Sequence, residues 1–243
     1  MNYAIKTHIG RRAHNEDRGH IPSGQNALPF VAVSDGMGGH AAGEIASRMT
    51  IDGMLDELRH GYDMDPISLL KRSITRVNLD VYRAAQDGET LRGMGATLVC
   101  ALLSGKRYLV ANVGDSRLYH FDGATLEQVT TDHSLVEMLV QSGNITREAA
   151  RTHPRRNIIT RAIGIGLRVD VDVFDRAWKE GDILLLCSDG LSGSLEDADM
   201  LRMLQQGGSL SDMADRLVAA ALENGASDNI TVVLARCEGG DCA

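Results

Sequence analysis

Apolar residues recur at helical spacing over residues 65–85 and predict the clearest helix of the chain. Asp65 suits the N-cap, because its side chain can accept hydrogen bonds from the first turn, and Pro66 fits that turn. The apolar stripe that follows consists of Ile67, Leu70, Ile74, Val77 and Val81. Its spacing places these side chains on one face, which we expect to lie against the core.

Two more helices are predicted, over residues 43–58 with Ile45, Met49 and Leu55 facing inward, and over residues 209–223. Short apolar runs predict strands at Thr97 to Leu103, Tyr108 to Val113, Leu118 to Phe121, Ile183 to Cys187 and Ile230 to Ala235. Turn-forming residues near position 106, at 114–116 and at 122–123 would join several of these strands in an antiparallel meander. Long helices beside such strands predict layers in which helices cover sheet faces.

Residues 132–170 interrupt the strand pattern. They contain short helical pieces, Leu135 to Gln141 and Arg147 to Arg151, and a polar, Pro-containing stretch at 152–157. We interpret this segment as a flap that either shapes access to a site or simply connects two strands. No repeat or Pro-rich linker divides the chain, so residues 1–243 are predicted to form a single domain.

Composition narrows the class of protein. The 243 residues are 43% hydrophobic, and they contain neither a membrane-spanning apolar run nor an apolar signal sequence. With 25 Lys and Arg against 33 Asp and Glu, the net charge of −8 gives no general attraction to nucleic acid. The four cysteines form no CxxC pair, and we interpret them as reduced thiols. We therefore expect a cytoplasmic protein that binds neither nucleic acid nor membrane.

Short motifs along the chain place aspartate beside turn-forming residues. They are NED at 15–17, SDGMGGH at 34–40, GDSR at 114–117, SDG at 188–190 and SDN at 227–229. Several directly follow apolar runs such as FVAV, YLVANV and ILLLC, which read as buried strands. Each motif alone would be an ordinary turn. Strand ends that converge can nevertheless bring distant carboxylates into one site.

The acidic residues of these motifs are Glu16, Asp17, Asp35, Asp115, Asp189 and Asp228. Two ionised carboxylates about 4 Å apart repel by roughly 4 kcal/mol at an effective dielectric constant of about 20, so a cluster of them requires cations. Oxygen ligands without His or Cys favour Mg²⁺ or Mn²⁺ over Zn²⁺. A site with several such ions suits in-line displacement at phosphorus by a metal-bridging hydroxide.

Arg12 adds a phosphate ligand to this cluster. It lies four residues before Glu16, and its planar guanidinium can hold two oxygens of a phosphate monoester. We assign Arg12 to the phosphate and its neighbour Arg11 to solvent. The sequence therefore predicts a metal-dependent enzyme that acts on phosphate monoesters.

In their order along the chain, these motifs resemble those of the metal-dependent protein phosphatases, the PPM or type 2C family. The resemblance rests on RAHNED at 12–17, SDGMGGH, Gly43-Glu44, GDSR, SDG and SDN, and it extends from residue 7 to about residue 235. The segments DGMGGHAAGE and RTHPRRNIITRAIG are similar to the bacterial branch. The implied fold is α+β, a four-layer α-β-β-α sandwich in which antiparallel helices flank two central antiparallel sheets, with the metals at one edge.

The resemblance also implies a role for each candidate residue. Asp35 would bridge two ions, and Gly36 would offer its backbone carbonyl. Glu16 would belong to one of these ions, directly or through water, while Asp189 and Asp228 would hold the other.

The remaining roles implied by the resemblance lie around this pair of ions. Asp17 would orient a metal-bound water without contacting the metal, Asp115 would join Asp189 in a looser third site, and Arg12 would bind the substrate phosphate. Two to three Mn²⁺ or Mg²⁺ ions are therefore expected.

One departure from the family concerns the general acid. Met37 stands where many eukaryotic relatives have a histidine, so a metal-bound water would have to protonate the leaving oxygen. We interpret the histidines at 8, 14, 20, 40, 133 and 153 as structural, because none has the i, i+4 partner of a helical zinc site. Only His40, near the glycine turn, and His153, in the flap, merit a functional test.

The implied function is hydrolysis of phosphoserine and phosphothreonine monoesters in proteins, reversing a Ser/Thr kinase. An alternative is a catalytically weak pseudophosphatase that regulates by binding phosphoproteins, although the complete carboxylate set argues against it. A phosphatase acting on an anti-sigma-type regulator would share the chemistry but usually carries sensor domains. Expected partners are phosphorylated proteins and a separately encoded eukaryotic-like kinase. Some compact members act in type VI secretion control, and we expect a monomer.

Overall fold

The computed structural model describes residues 1–24, 27–38, 42–60 and 64–239. The strands within them are β1 (Asn2–His8), β2 (Asp17–His20), β3 (Phe30–Met37), β4 (Gly95–Ala96), β5 (Leu98–Ser104), β6 (Arg107–Val113), β7 (Arg117–Phe121), β8 (Leu126–Gln128), β9 (Asp172–Ala177), β10 (Ile183–Cys187) and β11 (Ile230–Arg236). The helices are α1 (Ala42–Arg59), α2 (Pro66–Asp87), α3 (Leu135–Gln141), α4 (Arg147–Arg151), α5 (Asp189–Ser192), α6 (Asp197–Gln205) and α7 (Leu210–Glu223).

The strands form two antiparallel sheets that pack face to face. The first sheet has the order β1-β11-β10-β7-β8, and the second has the order β2-β3-β5-β6-β9 with β4 beside β3. Apolar side chains of both sheets, such as Val33, Val99 and Leu186, fill the space between them. Helices α5, α6 and α7 cover the outer face of the first sheet, while α1 and α2 cover the second. The expected four-layer α-β-β-α sandwich is confirmed.

Helix α2 begins as the sequence predicts. The Asp65 side chain accepts hydrogen bonds from the backbone N–H groups of Ile67 at 3.1 Å and Ser68 at 3.2 Å. The predicted stripe is buried from Leu70 to Val81, but Ile67 is 38% exposed. The first turn of the helix therefore extends beyond the edge of the sheet that it covers.

The buried face of α1 differs from the prediction. Its centre is the row Ala46, Thr50, Met54 and Leu58, whereas Ile45, Met49 and Leu55 are only partly buried at its margins. Thr50 can be buried because its hydroxyl donates to the carbonyl of Ala46 at 2.8 Å. The small side chains in this row let the helix approach the sheet closely. A prediction based on hydrophobicity alone instead places isoleucine and methionine on the buried face.

The predicted meander is wrong at residues 114–116. Strands β5 and β6 form a hairpin, and so do β7 and β8, but β6 belongs to the second sheet and β7 to the first. The chain therefore crosses between sheets at this turn, where Gly114 adopts a φ of +112° that side chains rarely allow. The segment between β1 and β2 makes a similar crossing. Both crossings carry predicted site residues.

Helices α3 and α4 coincide with the short helical pieces predicted for the flap. Isolated bridges between Ser134 and Ile159 and between Ala96 and Ile163 join the base of this segment to itself and to β4. Strands β1, β2, β8 and β9 and helix α6 have no counterpart in the predicted elements.

The cysteines follow the expectation only in part. Cys100 and Cys187 are buried free thiols, as predicted, but Cys237 takes part in a disulfide, which corrects the interpretation of all four as reduced. Across the part of the chain that the structure describes, no helix combines the length and apolarity needed to cross a membrane.

Candidate active site

Strand ends of the first sheet meet at one edge of the sandwich. Cys187, at the end of β10, pairs with Arg117 at the start of β7 and with Val232 near the start of β11. The turns that flank these paired residues therefore emerge side by side. The carboxylates that they carry are Asp115, Asp189 and Asp228.

The second sheet contributes two more carboxylates at the same edge. Asp17, the first residue of β2, is the register partner of Asp35 near the end of β3. The backbone N–H of Asp35 donates to Thr97 Oγ1 at 2.9 Å, and the Thr97 N–H donates to the Asp35 carbonyl at 2.8 Å. Asp17 is buried and accepts a hydrogen bond from Ser188 Oγ at 2.7 Å. This last bond joins the two sheets directly at the site.

The crossing segment between β1 and β2 holds Arg12 and Glu16. It is tied to the first sheet by Asn229, whose side-chain oxygen accepts from the Glu16 N–H at 2.8 Å. The Asn229 amide nitrogen donates to the carbonyls of Ile9 at 2.8 Å and His14 at 3.0 Å. Three hydrogen bonds from one buried side chain thus fix the segment that carries both residues.

Arg12 lies at the mouth of the site. Its Nη2 donates to Asp228 Oδ2 at 2.6 Å, and its side chain is 55% exposed. The Glu16 side chain accepts a backbone hydrogen bond from Gly43 in the first turn of α1. Helix N-termini favour anions, so α1 helps to keep this carboxylate in place.

Two glycines of the motifs are required by close backbone approach. A Cβ on Gly36 would lie 2.0 Å from the Gly43 carbonyl oxygen. A Cβ on Gly190 would lie 2.0 Å from the Asn229 carbonyl oxygen. Glycine therefore follows Asp35 and Asp189 because any side chain there would push apart the segments that build the site.

The carboxyl groups of the cluster destabilise one another's charges. Desolvation by burial is the largest cause of a raised pKa for Asp17 (about 7), Asp115 (about 8) and Asp189 (about 6), and neighbouring aspartates raise it further. The pKa of Asp35 is raised well above its usual value by burial and by the charges of Asp17 and Asp189. Burial also raises the pKa of Glu16. Without cations, part of this cluster must be protonated at neutral pH.

The donor set fits hard divalent ions. Asp17 Oδ1 and Asp189 Oδ1 are buried without a hydrogen-bond partner, and each is an oxygen that a cation or its water could satisfy. Among the described residues, no three His, Cys, Asp or Glu side chains form a ready-made metal cage. Arg12 instead pairs with Asp228, and the carboxyl groups of Asp35 and Asp189 interact with each other. Mg²⁺ commonly keeps several waters and needs few side chains, so carboxylates, the Gly36 carbonyl and water form a sufficient set.

A cleft of about 380 Å³ opens beside these carboxylates, between the flap and the core. Its lining includes Asp115 and Asp189 on one side and flap residues such as Arg147 and Arg156 on the other. Arg151 Nη2 donates to the Leu195 carbonyl at 2.9 Å and joins the flap to the core. The flap thus shapes one wall of the approach to the site.

The structure brings every predicted site residue into this one region. The side chains of Arg12, Glu16, Asp17, Asp35, Asp115, Asp189 and Asp228 interact with one another, and Gly36 follows Asp35 in β3. Of the two histidines set aside for testing, His40 lies outside the described residues. His153 Nδ1 accepts from the Arg155 N–H at 3.1 Å, which closes a local turn. Met37 lies against Gly95, as expected of a packing residue.

Four supporting residues of the site were not singled out from the sequence. They are Thr97, His133, Ser188 and Asn229, and each bonds a carboxylate or the backbone beside one. Ser188 and Asn229 adjoin aspartates within the SDG and SDN motifs, so these motifs could have indicated them as site residues. Thr97 and His133 contact residues distant in sequence, and no local pattern marks them.

Comparison with known proteins decides the family. The protein phosphatase 2C model matches residues 6–235, nearly the whole chain. The chain belongs to the protein phosphatase 2C family. The serine/threonine phosphatase stp of Listeria innocua is 39% identical over 239 residues, which cover 96% of this chain and 95% of that protein.

Solved structures of this phosphatase family agree with the fold. The crystal structure of the serine/threonine phosphatase Stp1 from Staphylococcus aureus aligns with a TM-score of 0.92 and 40% identity, covering 98% of this chain and 95% of that one. The catalytic domain of the serine/threonine phosphatase PstP, in complex with 2 manganese ions, aligns with a TM-score of 0.86 and 35% identity, covering 97% of both chains. The bacterial phosphatase 2C resemblance is thereby confirmed.

Proposed function

We propose that this chain hydrolyses phosphoserine and phosphothreonine monoesters in proteins, with the carboxylate cluster as its metal-binding active site. Membership of the protein phosphatase 2C family makes it a metal-dependent protein serine/threonine phosphatase. The observation that carries the assignment of the site is the crowding of desolvated carboxylates with raised pKa values beside an exposed arginine. Structural ion pairs would not crowd like charges in this way.

We assign the metal ligands as follows. Asp35 would be shared between two ions, and Gly36 would offer its backbone carbonyl. Glu16 would belong to one ion, directly or through water, and Asp189 and Asp228 would hold the other. Asp115 and Asp189 would hold a third, weaker ion. Bound divalent ions supply a nucleophilic water at neutral pH and neutralise charge on the transferring phosphoryl group. The identity of the ions, Mn²⁺ or Mg²⁺, and their number belong to the proposal.

The chain's own residues position the reacting groups. Asp17 is held by Ser188, which leaves its Oδ1 free to accept a hydrogen bond from a water molecule in the site. Arg12 is anchored to Asp228 through one nitrogen, and its exposed guanidinium offers further N–H groups to phosphate oxygens. Met37 carries no exchangeable proton, so the leaving oxygen would take its proton from water.

Metal titration tests the proposed activity. With p-nitrophenyl phosphate and with a phosphothreonine peptide, we expect no hydrolysis in EDTA and saturable hydrolysis on addition of Mn²⁺. The pseudophosphatase alternative predicts that the peptide binds but is not turned over at any Mn²⁺ concentration. Binding of the peptide without turnover would therefore refute the proposed phosphatase activity and support the pseudophosphatase alternative.

Replacing Arg12 by alanine is expected to lower kcat/KM for p-nitrophenyl phosphate by about 10- to 100-fold. Charge-assisted hydrogen bonds contribute roughly 1.5 to 3 kcal/mol, and about 1.4 kcal/mol corresponds to a factor of ten. Arg12→Lys should recover only part of the loss, since an ammonium group is a point charge without the planar fork. The matched control is Arg11→Ala, at an exposed neighbouring position. Equal losses in the two alanine variants would remove Arg12 from the phosphate site.

The proposal extends to the partners, location and oligomeric state of the protein. Phosphorylated proteins follow as substrates from the activity, and an opposing Ser/Thr kinase is the natural counterpart. A role in type VI secretion control, a cytoplasmic location, a monomeric state and a single domain over residues 1–243 with a flap at about 132–170 are parts of the same proposal.

A further inference from the structure

His133 and Gly114 are joined by reciprocal hydrogen bonds. The His133 N–H donates to the Gly114 carbonyl at 2.9 Å, and the Gly114 N–H donates to His133 Nδ1 at 3.0 Å. His133 is only 6% exposed, so both bonds are shielded from water. Gly114 immediately precedes Asp115. The histidine therefore fixes the backbone from which that carboxylate projects.

The orientation of the His133 ring is itself determined. Because Nδ1 accepts a hydrogen bond, the proton of the neutral ring lies on Nε2, which donates to Asp172 Oδ2 at 3.1 Å. Arg161 Nη1 donates to Asp172 Oδ1 at 2.9 Å and lies 3.1 Å from His133 Nε2. The Asp172 carboxylate thus favours the one tautomer that can accept from Gly114, and Arg161, which can only donate, supports it through its bond to Asp172.

His133 is also the point where the two ends of the flap meet. Its carbonyl accepts from the Thr160 N–H at 2.7 Å, and the neighbouring Ser134 forms a bridge with Ile159. Asp132 also forms a bidentate pair with Arg117, which follows the Asp115 turn. We call residues 132–134 together with 159–161 the flap base.

A second clamp holds the same turn from the core. Thr97 Oγ1 and Ser116 Oγ share a hydrogen bond of 2.7 Å, and a Cβ on Gly114 would lie 2.6 Å from Thr97 Cγ2. Thr97 lies between β4 and β5 of the second sheet, and its neighbour Ala96 is bridged to Ile163, outside the flap base. Within the flap base, His133 bonds the backbone directly before Asp115, whereas Asp132 reaches the turn through the Arg117 side chain on β7.

We propose that His133 is a positioning residue that sets the Asp115 turn and couples the flap to the divalent cation bound by Asp115. The inference rests on the assignment of Asp115 under the proposed function. Movement of the flap base would displace the Gly114 backbone and loosen this ion, and by thermodynamic reciprocity binding of the ion would steady the flap. Residues that orient metal ligands typically change affinity by about 10- to 100-fold when removed.

The test is direct Mn²⁺ binding without substrate, measured by calorimetry and by electron paramagnetic resonance of free Mn²⁺. Asp115→Asn identifies the binding step that depends on Asp115. His133→Ala should weaken that same step by at least about 10-fold and leave the tighter steps unchanged. If Asp115→Asn alters no step, the assignment of Asp115 fails. If it does but His133→Ala alters none, the coupling through His133 is refuted.

Two conservative variants separate positioning from general packing. In His133→Asn, the side-chain oxygen can replace Nδ1 as acceptor for the Gly114 N–H, so Mn²⁺ affinity should recover. In His133→Gln, the amide reaches the position of Nε2 and can donate to Asp172, but it leaves Gly114 unpaired, so affinity should stay low. Recovery with Gln but not Asn would overturn the proposal. This pair decides the question even if His133→Ala does not fold.

His120→Ala is the matched control. His120 is also bonded through both ring nitrogens, to Tyr108 Oη and Asp182 Oδ2, each at 2.9 Å. Its loss should lower Tm without weakening Mn²⁺ binding; an equal loss of affinity would reveal a general effect of destabilisation.

Hydrogen exchange measures the coupling to the flap directly. Saturating Mn²⁺ should slow amide exchange over residues 135–159 in the wild type but not in His133→Ala, and identical protection in both would contradict coupling to the flap.

Discussion

Replacing Asp35 by asparagine is expected to abolish metal-dependent hydrolysis and, at the same time, to stabilise the metal-free protein. The loss should exceed about a thousandfold in kcat/KM, since metal ions contribute several kcal/mol to transition-state stabilisation and about 1.4 kcal/mol is a factor of ten. Asp35 is the residue assigned to both ions. Its neutral amide would neither balance their charge nor bridge them.

The gain in stability has a separate cause. Burial and the charges of Asp17 and Asp189 raise the pKa of Asp35, so folding at neutral pH without metal forces this group to take up a proton. Asparagine has nearly the same shape and removes that cost. Each kcal/mol should appear as a rise in Tm of roughly 2 to 4 °C in a chain of this size.

Phosphatase assays in Mn²⁺ and thermal unfolding in EDTA measure the two effects. Asp175→Asn is a suitable control, because Asp175 is an exposed residue of β9 whose carboxylate pairs with Arg107. It should leave both quantities nearly unchanged. Near-wild-type turnover in Asp35→Asn would refute the metal-bridging role, whatever happens to Tm.

In the absence of metal, the protein is expected to lose stability as pH rises from about 5 to about 8.5. Asp17, Asp115 and Asp189 have folded-state pKa values of about 7, 8 and 6, all above the usual aspartate value of 3.8. The folded state therefore binds more protons than the unfolded state in this window, and stability falls as those protons are released. The stabilising contribution is complete below the unfolded pKa and is lost as pH passes the folded values.

Divalent ions should reverse this slope. They compete with protons for the same oxygens, so Mn²⁺ or Mg²⁺ binds more tightly as pH rises and stabilises the folded state by mass action. The gap between Tm with metal and Tm in EDTA should therefore widen steadily from pH 5 to 8.5. In EDTA, the destabilisation over this window should be on the order of a few kcal/mol, since one pKa unit corresponds to about 1.4 kcal/mol.

Thermal unfolding across pH, with and without metal, provides the measurement. The measurements are made above pH 5 because the protein also loses stability at lower pH. There, carboxylates with lowered pKa values, such as Asp65 and Asp122, become protonated and lose their hydrogen bonds. Asp35→Asn should flatten the slope in EDTA by removing one of the repelling charges. A metal-free Tm that rises with pH across this window would contradict the electrostatic description of the site.

The sequence located the carboxylates of the candidate site better than the residues that support them. The carboxylates and Arg12 lie in short motifs whose turn residues mark strand ends, and Asp65 with its apolar stripe marks α2 almost to the residue. These are local signals. The face of α1 was misjudged because small residues such as Ala46 and Thr50 pack where larger ones would keep the helix away from the sheet.

Contacts between distant segments were beyond the reach of sequence patterns. The turn at 114–116 has the composition of a hairpin, yet it passes from one sheet to the other, and it is held by Thr97, which lies between β4 and β5. His133 bonds Gly114, which is 19 positions away, and Asp172, which is 39 positions away. Strand β1 was missed because it is mostly exposed, with Ala4 as its one buried residue, and it forms by pairing with β11 near the opposite end of the chain.

The crossings between sheets have a consequence for how the enzyme acquires its activity. Of the ligands that we propose, Asp35 belongs to the second sheet, whereas Asp189 and Asp228 flank strands of the first, so neither sheet has a full set. An ion held by ligands from both sheets would join them at this edge of the sandwich. We therefore expect hydrolysis to begin only after the two sheets have packed together, and a nascent or partly unfolded chain to be inactive.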